Sequence, residues 1–279
     1  MSANGKAIKN RIKSVDSTLH MAKAMQLVAS SKMRRATDGM IRSRNYSSAM
    51  EEAFSGLDLS ECAGSVYTAA REEKKVCLIV IAGDRGLAGG YNSNIYKAAI
   101  GACTDKDVCV YPIGKRSVDY FTRHGFELAG GGYASVEKFS SSDCAALCRD
   151  VCKKFKSGDF DALYIVYTRY ESVLSQVPEV KKLLPLATEK KTESVGAQAL
   201  FEPDSISVLN AVMPDYLSGI VYGCVCESYA CELSSRRNAM NNAEQNASEM
   251  IEHLSLQYNR ARQGAITQEI TEIVAGSQS

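Results

Sequence analysis

Three groups of residues in this 279-residue chain are spaced in ways that could do chemistry. The first is the turn Gly83-Asp84-Arg85-Gly86-Leu87-Ala88-Gly89-Gly90, which follows the apolar run Val76-Cys77-Leu78-Ile79-Val80-Ile81-Ala82 and leads into a helix-like stretch. Strand, glycines and helix start are the setting in which backbone N–H groups hold a dinucleotide pyrophosphate. The spacing differs: it reads G-x-x-G-x-x-G-G, not G-x-G-x-x-G, and Asp84 with Arg85 would crowd an approaching pyrophosphate. A structural strand-to-helix turn is the favoured reading. Gly114-Lys115 makes no phosphate loop either, because Arg116 follows and Cys109 stands where a glycine is required.

The second group is Cys144, Cys148 and Cys152, which share one face of a helix at i, i+4 and i+8. Tetrahedral zinc sites favour pairs two to four residues apart across a turn, with a fourth ligand, and no His lies nearby. A core-facing stripe is expected, and Cys224, Cys226 and Cys231 form no better set. The start of the chain, Met1 to Lys6, has no apolar export signal, so the ten cysteines are expected as small buried hydrophobes in a reducing compartment. The third group, His20, His124 and His253, lies in three separate segments away from an obvious nucleophile. No acid-base or nucleophile constellation stands out.

The specificity of the sequence lies in the elements that flank these groups. Residues 6–38 and 224–263 contain neither Gly nor Pro, so two long helices are expected around a mixed middle. In the first, Ile8, Ile12, Val15, Leu19, Ala22, Gln26, Ala29, Met33, Ala36 and Met40 step by alternating 4 and 3. A 3.5-residue repeat held that long marks a coiled-coil seam. Gln26 is its single polar member, which either sets register or marks a shift of the seam. Met240, Ala243, Ala247, Ile251, Leu254, Tyr258, Ala261 and Ala265 repeat the pattern with one stutter. Helices over 4–57 and 206–275 would be roughly 80 and 100 Å long, too long for an ordinary globule, and could return past each other as an antiparallel pair. That repeat outweighs the likeness of the basic stretch 6–35 to a mitochondrial targeting peptide.

The middle alternates strand-like runs, Val76 to Ala82, Val108 to Tyr111 and Leu163 to Tyr167, with helix-like stretches, Asn92 to Cys103 and Ser142 to Lys156. The expected class is α/β: a long antiparallel coiled coil of N- and C-terminal helices plus a central Rossmann-like domain with a largely parallel sheet. The expected divisions are 1–58, 59–205 and 206–279. No uncharged run approaches the ~18 residues of a membrane span.

A net charge of +1 and 45% hydrophobic residues exclude wholesale disorder and a uniformly basic coat protein. The average conceals polarity: residues 1–45 carry +8, residues 46–204 carry −3 and residues 205–279 carry −4. Coulomb attraction favours pairing the two helices, and surplus charge on the first would draw an acidic partner, with nucleic acid as the competing class. A nucleotide-dependent enzyme using the glycine turn is the other competitor.

Three ordered motifs carry a resemblance. Ile8 to Val15 with Ala22 to Arg35, the turn Asp84-Arg85-Gly86-Leu87-Ala88-Gly89-Gly90-Tyr91-Asn92, and the ending Tyr258 to Val274 are similar to the gamma subunit family of F-type ATP synthases over essentially the whole chain. Ala88 stands where that family usually has Cys, and Gly264 where it commonly has Ala. The resemblance implies a rotor without catalytic residues, cofactor, metal or small-molecule substrate. Its helices would project into a ring of three alpha and three beta subunits, with its α/β domain beside the epsilon subunit and the membrane c-ring. Nucleic acid would then not be a partner. By the same resemblance, Met25, Lys32, Arg34 and Arg35 match the region facing the acidic lever of beta, Arg236 matches the arginine two places before Asn238-Ala239-Met240, and Gln268 with Thr271 matches polar contacts near the shaft tip; these would meet the catch loops of beta. Gly83, Asp84, Arg85, Gly86, Gly89 and Gly90 form the structural turn. The chloroplast cysteine-pair insertion has no counterpart, so a bacterial enzyme on the cytoplasmic face of the plasma membrane is implied, without thiol control of rotation.

Overall fold

The computed structural model describes residues 3–55, 62, 64–104, 106–130, 132, 133, 135–186 and 202–277. In chain order its elements are α1 (Ala3–Ser55), β1 (Lys75–Ile81), α2 (Tyr91–Gly101), β2 (Asp107–Ile113), α3 (Lys115–Arg123), β3 (Glu127–Leu128), α4 (Ser141–Ser157), β4 (Ala162–Tyr170), β5 (Gln176–Leu184) and α5 (Ser205–Ser277). They make two compact units, Met1–Ser30 with Arg236–Ser279, and Ser31–Ser235. The expected boundary at 58/59 lies outside the described residues.

The larger unit holds a five-stranded sheet in the order β3-β2-β1-β4-β5. β1 to β4 run parallel and β5 turns back antiparallel to β4. This is the largely parallel α/β sheet that the alternation of elements implies. β1 explains its uninterrupted apolar run by burying both faces. Val76, Leu78 and Val80 meet Ile95 of α2 and Phe121 of α3, while Cys77, Ile79 and Ile81 share the opposite core with α4 and α5. α4 begins with a capping box in which Ser140 and Asp143 bond reciprocally, and ends at Gly158 with a positive φ of 82°. Its cysteine stripe is core: Cys144, Cys148 and Cys152 are all buried.

The apolar start of α5 packs on the same face through Leu209, Met213, Leu217, Val221 and Val225. By length and composition this helix could cross a membrane; here its apolar side chains fill a protein core. α1 follows it in the opposite direction, since Ala36 and Met40 pack with Ala230 and Leu233 while Phe54 stacks on Tyr216 at 3.9 Å. Gly219 permits the close approach, because a Cβ there would lie 3.1 Å from the Tyr46 ring.

Sequence periodicity does not reveal α3, β3 or β5. α3 is only nine residues long, β3 has two, and β5 is an edge strand interrupted by Pro178 and carrying Lys181 and Lys182.

In the smaller unit, residues 3–30 of α1 lie antiparallel to residues 236–277 of α5. Gln26 Nε2 donates to Asn241 Oδ1 at 3.1 Å and Lys23 Nζ lies 3.6 Å from Glu244, so numbers fall on one helix as they rise on the other. Gln26 therefore sets register. Every member of both seams within this unit is buried or half-buried, with Ala22, Ala29, Met240, Ala247 and Leu254 the most enclosed. Small seam residues let the backbones approach closely.

One charged node binds the amino-terminal end of the sheet. Glu73 accepts from Lys106 at 2.5 Å, from Lys182 at 2.7 Å and from the Tyr164 hydroxyl at 2.9 Å. Burial works against its charged form, but the bonds from Lys106, Lys182 and Tyr164 outweigh burial and pull its pKa down to about 2. A depressed carboxyl contributes stability above its unfolded pKa and loses it as pH falls through the folded one. Glu73→Gln should cost about 2 kcal/mol near neutrality. Denaturant titrations of the two chains should show that difference shrinking from about pH 4.5 downward and disappearing near pH 2.

Candidate functional site

The Gly83–Gly90 turn sits at the carboxyl ends of β1 and β4, where a doubly wound sheet normally leaves a ligand crevice. Here the crevice is filled by α5. A Cβ on Gly83 would lie 2.5 Å from Oε1 of the buried Glu232. The Tyr91 hydroxyl donates to the Ser228 carbonyl at 3.0 Å, and Cys231 packs against Ala88 and Tyr91. At the end of β4, Thr168 N–H donates to Ser228 Oγ at 3.1 Å and Tyr170 N–H to Glu227 at 2.8 Å. Arg44 of α1 closes this corner, 2.6 Å from Glu227. Burial pushes the Tyr91 phenol well up, so it stays a neutral donor.

Two backbone donors of the turn are also satisfied within it. Gly83 N–H bonds Asn92 Oδ1 at 2.8 Å, and Tyr91 N–H bonds the Ala88 carbonyl at 3.2 Å. Leu87 has a φ of +62°, a strained value for a branched side chain, and is exposed. Asp84 accepts from Val136 N–H at 2.8 Å and from Ser135 Oγ at 2.9 Å. This fixes the loop bearing Glu137, whose carboxylate lies 2.6 Å from Lys32. The hydrogen bond from Lys32 lowers the Glu137 pKa. The motif that looks like a phosphate cradle is therefore a seat for the chain's own helices.

The residues singled out from the sequence are distributed as follows. Met25 is half-buried beside the α1 seam, and Arg34 and Arg35 are exposed, in no ion pair among the described residues. Lys32 is engaged by Glu137 within the chain. Arg236 is half-buried. Gln268 donates to Glu272 at 2.9 Å and Thr271 to the Thr267 carbonyl at 2.8 Å, both on an exposed part of α5. Gly83, Asp84, Arg85, Gly86, Gly89 and Gly90 share the turn just described.

Sequence reasoning missed Tyr91, Glu137, Glu227, Ser228 and Glu232 as its partners. Two acids inside the apolar stretch of α5 were the available signal, because a buried carboxylate requires partners. It also missed an outward apolar stripe, Ile266, Ile270, Ile273 and Val274, with exposures from 46% to 71%. The i, i+4, i+7, i+8 spacing puts all four on one helix face.

The model of the ATP synthase family, ATP-synt, matches residues 4–279. The chain is 40% identical to the ATP synthase gamma chain of Ruminococcus albus, covering 99% of this chain and 98% of that one. It belongs to the ATP synthase gamma-chain family. It is also 38% identical to the sodium-ion-specific ATP synthase gamma chain of Acetobacterium woodii, over 100% and 99% of the two chains. Its fold is similar to a chain in a Euglena gracilis mitochondrial ATP synthase structure, with a TM-score of 0.71, 17% identity and coverage of 99% and 94%. A Tetrahymena thermophila central stalk and c-ring structure gives a TM-score of 0.62 at 23% identity, with coverage of 80% and 99%. In this gamma-family chain the glycine signature thus serves helix seating.

Gly83→Ala should destabilise the chain by about 2–3 kcal/mol, since its Cβ would meet the buried Glu232 side chain at 2.5–3.1 Å. Gly90→Ala should cost under about 1 kcal/mol, its nearest new contact being the Asn94 side chain at 3.5 Å. Denaturant midpoints of the two variants test the contrast; equal losses would remove the seating argument.

Proposed function

We propose that this chain is the central rotor shaft of an F1Fo ATP synthase, coupling ion flow through the membrane sector to ATP synthesis or hydrolysis at alpha/beta catalytic sites. The reading rests on family membership over residues 4–279. One structural observation carries the mechanical part: the helix seams turn inward, while Arg34, Arg35 and the Ile266-Ile270-Ile273-Val274 stripe remain outward. An inward seam makes a self-sufficient helix pair, and the outward groups are available for a surrounding surface.

The work divides between charge and apolar surface. Arg34 and Arg35 would press on acidic levers of the beta subunits, with Met25 adding bulk beside them. Such contacts between exposed charges are weak enough to be made and broken repeatedly. Lys32 would act through the Glu137 pair, and Arg236, Gln268 and Thr271 would supply further polar contacts. The exposed stripe would run in an apolar collar of the alpha/beta ring. The α/β unit would meet the epsilon subunit and the c-ring, placing the chain peripherally on the cytoplasmic face of a bacterial plasma membrane. The filled crevice supports a subunit that transmits force and leaves the chemistry to its partners.

Reversing Arg34 and Arg35 to Glu should weaken ATP-driven ion pumping about tenfold, equivalent to about 1.4 kcal/mol, with the unfolding midpoint unchanged. Deleting residues after Ala265 should reduce torque-coupled hydrolysis in complexes reconstituted with alpha and beta, while far-ultraviolet circular dichroism keeps its helical signal. Pumping indifferent to both changes would remove the rotor assignment.

A further inference from the structure

Cys77 and Cys109 face each other directly across the β1–β2 pair. Cys77 is fully buried, whereas Cys109 is half-buried and lines a cavity of about 260 Å³ at the amino-terminal edge of the sheet. Lys154 lines the same cavity, held by the Ala129 carbonyl, by the Tyr111 hydroxyl at 3.1 Å and by Asp150 at 3.2 Å. A fixed ammonium beside a partly accessible thiol with a second thiol as neighbour is the microenvironment of a reactive cysteine. Burial pushes up Cys103, Cys144, Cys148, Cys152, Cys224, Cys226 and Cys231. Cys109 moves the other way, because the Cys77 thiol donates to its sulfur, and Lys154 assists against partial burial and Glu127.

We propose that Cys109 and Cys77 form a redox-active pair, in which Cys109 is the thiol modified by hydroperoxides and Cys77 resolves it into a cross-strand disulfide. The Cys109 thiolate attacks the outer oxygen of the hydroperoxide, the O–O bond breaks, an S–O bond forms, and the departing alkoxide takes a proton and leaves as an alcohol. Cys77 sulfur then attacks the sulfenic sulfur, forming S–S and breaking S–O. Hydroxide leaves with the Cys77 proton as water. Two thiols are oxidised by two electrons and one hydroperoxide is reduced. Neighbouring strands are about 4.8 Å apart, within the Cα separation that a disulfide tolerates. Parallel Cβ directions strain such a bridge, so small thiols should reduce it readily.

The test uses the reduced ATP synthase containing the full chain, with iodoacetamide and hydrogen peroxide as probes and peptide mass spectrometry as readout. Cys109 should alkylate about tenfold faster than the half-buried Cys103 and Cys226. Peroxide should join the peptides carrying Cys77 and Cys109, and dithiothreitol should release them. In Cys77→Ser, dimedone should capture a sulfenic acid at Cys109, and Lys154→Gln should slow alkylation severalfold. The unmodified enzyme alone decides the matter if a variant fails to fold: Cys109 reacting no faster than Cys103 and Cys226, or peroxide yielding no Cys77–Cys109 bridge, overturns the proposal.

Discussion

The larger unit depends on the seating of α5 in the crevice at the carboxyl ends of β1 and β4. An open parallel sheet ends there in unpaired backbone groups and an apolar notch, the usual place for a ligand. This chain fills the notch with its own polar and apolar groups: Ser228 and Glu227 receive the N–H groups of Thr168 and Tyr170, and Cys231 covers Ala88 and Tyr91. Glycine at 83 follows from that packing, since any side chain would strike Glu232. The turn is tied down on three sides: Asn92 at Gly83, Ser135 and Val136 at Asp84, and Tyr91 at Ser228.

Electrostatics then sorts the basic surplus of the first helix. Lys23, Lys32 and Arg44 are matched by Glu244, Glu137 and Glu227 inside the chain. The attraction expected between oppositely charged ends is realised in the Lys23–Glu244 and Arg44–Glu227 pairs, while Lys32 turns to the loop bearing Glu137. Arg34 and Arg35 follow Lys32 closely and are in no ion pair among the described residues. Positions two apart on a helix point in different directions, so Lys32 and Arg34 let one turn of α1 serve both internal anchoring and an outward surface.

What was legible in the sequence follows from periodicity. The seams of both helices could be read because a repeat of 3.5 residues leaves few alternatives, and β1 could be read because burial on both faces leaves a continuous apolar run. The partners of the glycine turn could not: Glu137, Glu227, Ser228 and Glu232 reach it through tertiary packing, across tens to well over a hundred positions of chain. α3 and β5 escaped for a local reason, one being too short to show a helical period and the other being an edge whose side chains alternate only partly. Gln26 was visible as an interruption, yet only the position of Asn241 shows what the interruption does.

The edges of the sheet have a bearing on solubility and stoichiometry. β3 offers only two residues to a neighbour, and β5 presents a proline that cannot donate and carries charged side chains along the edge. Unprotected strand edges are templates for open-ended pairing between identical chains. A chain that also exposes Ile270 and Ile273 would be prone to gather into aggregates before meeting other proteins. Blunted edges remove the backbone route to such gathering, leaving side-chain complementarity to decide what the monomer joins.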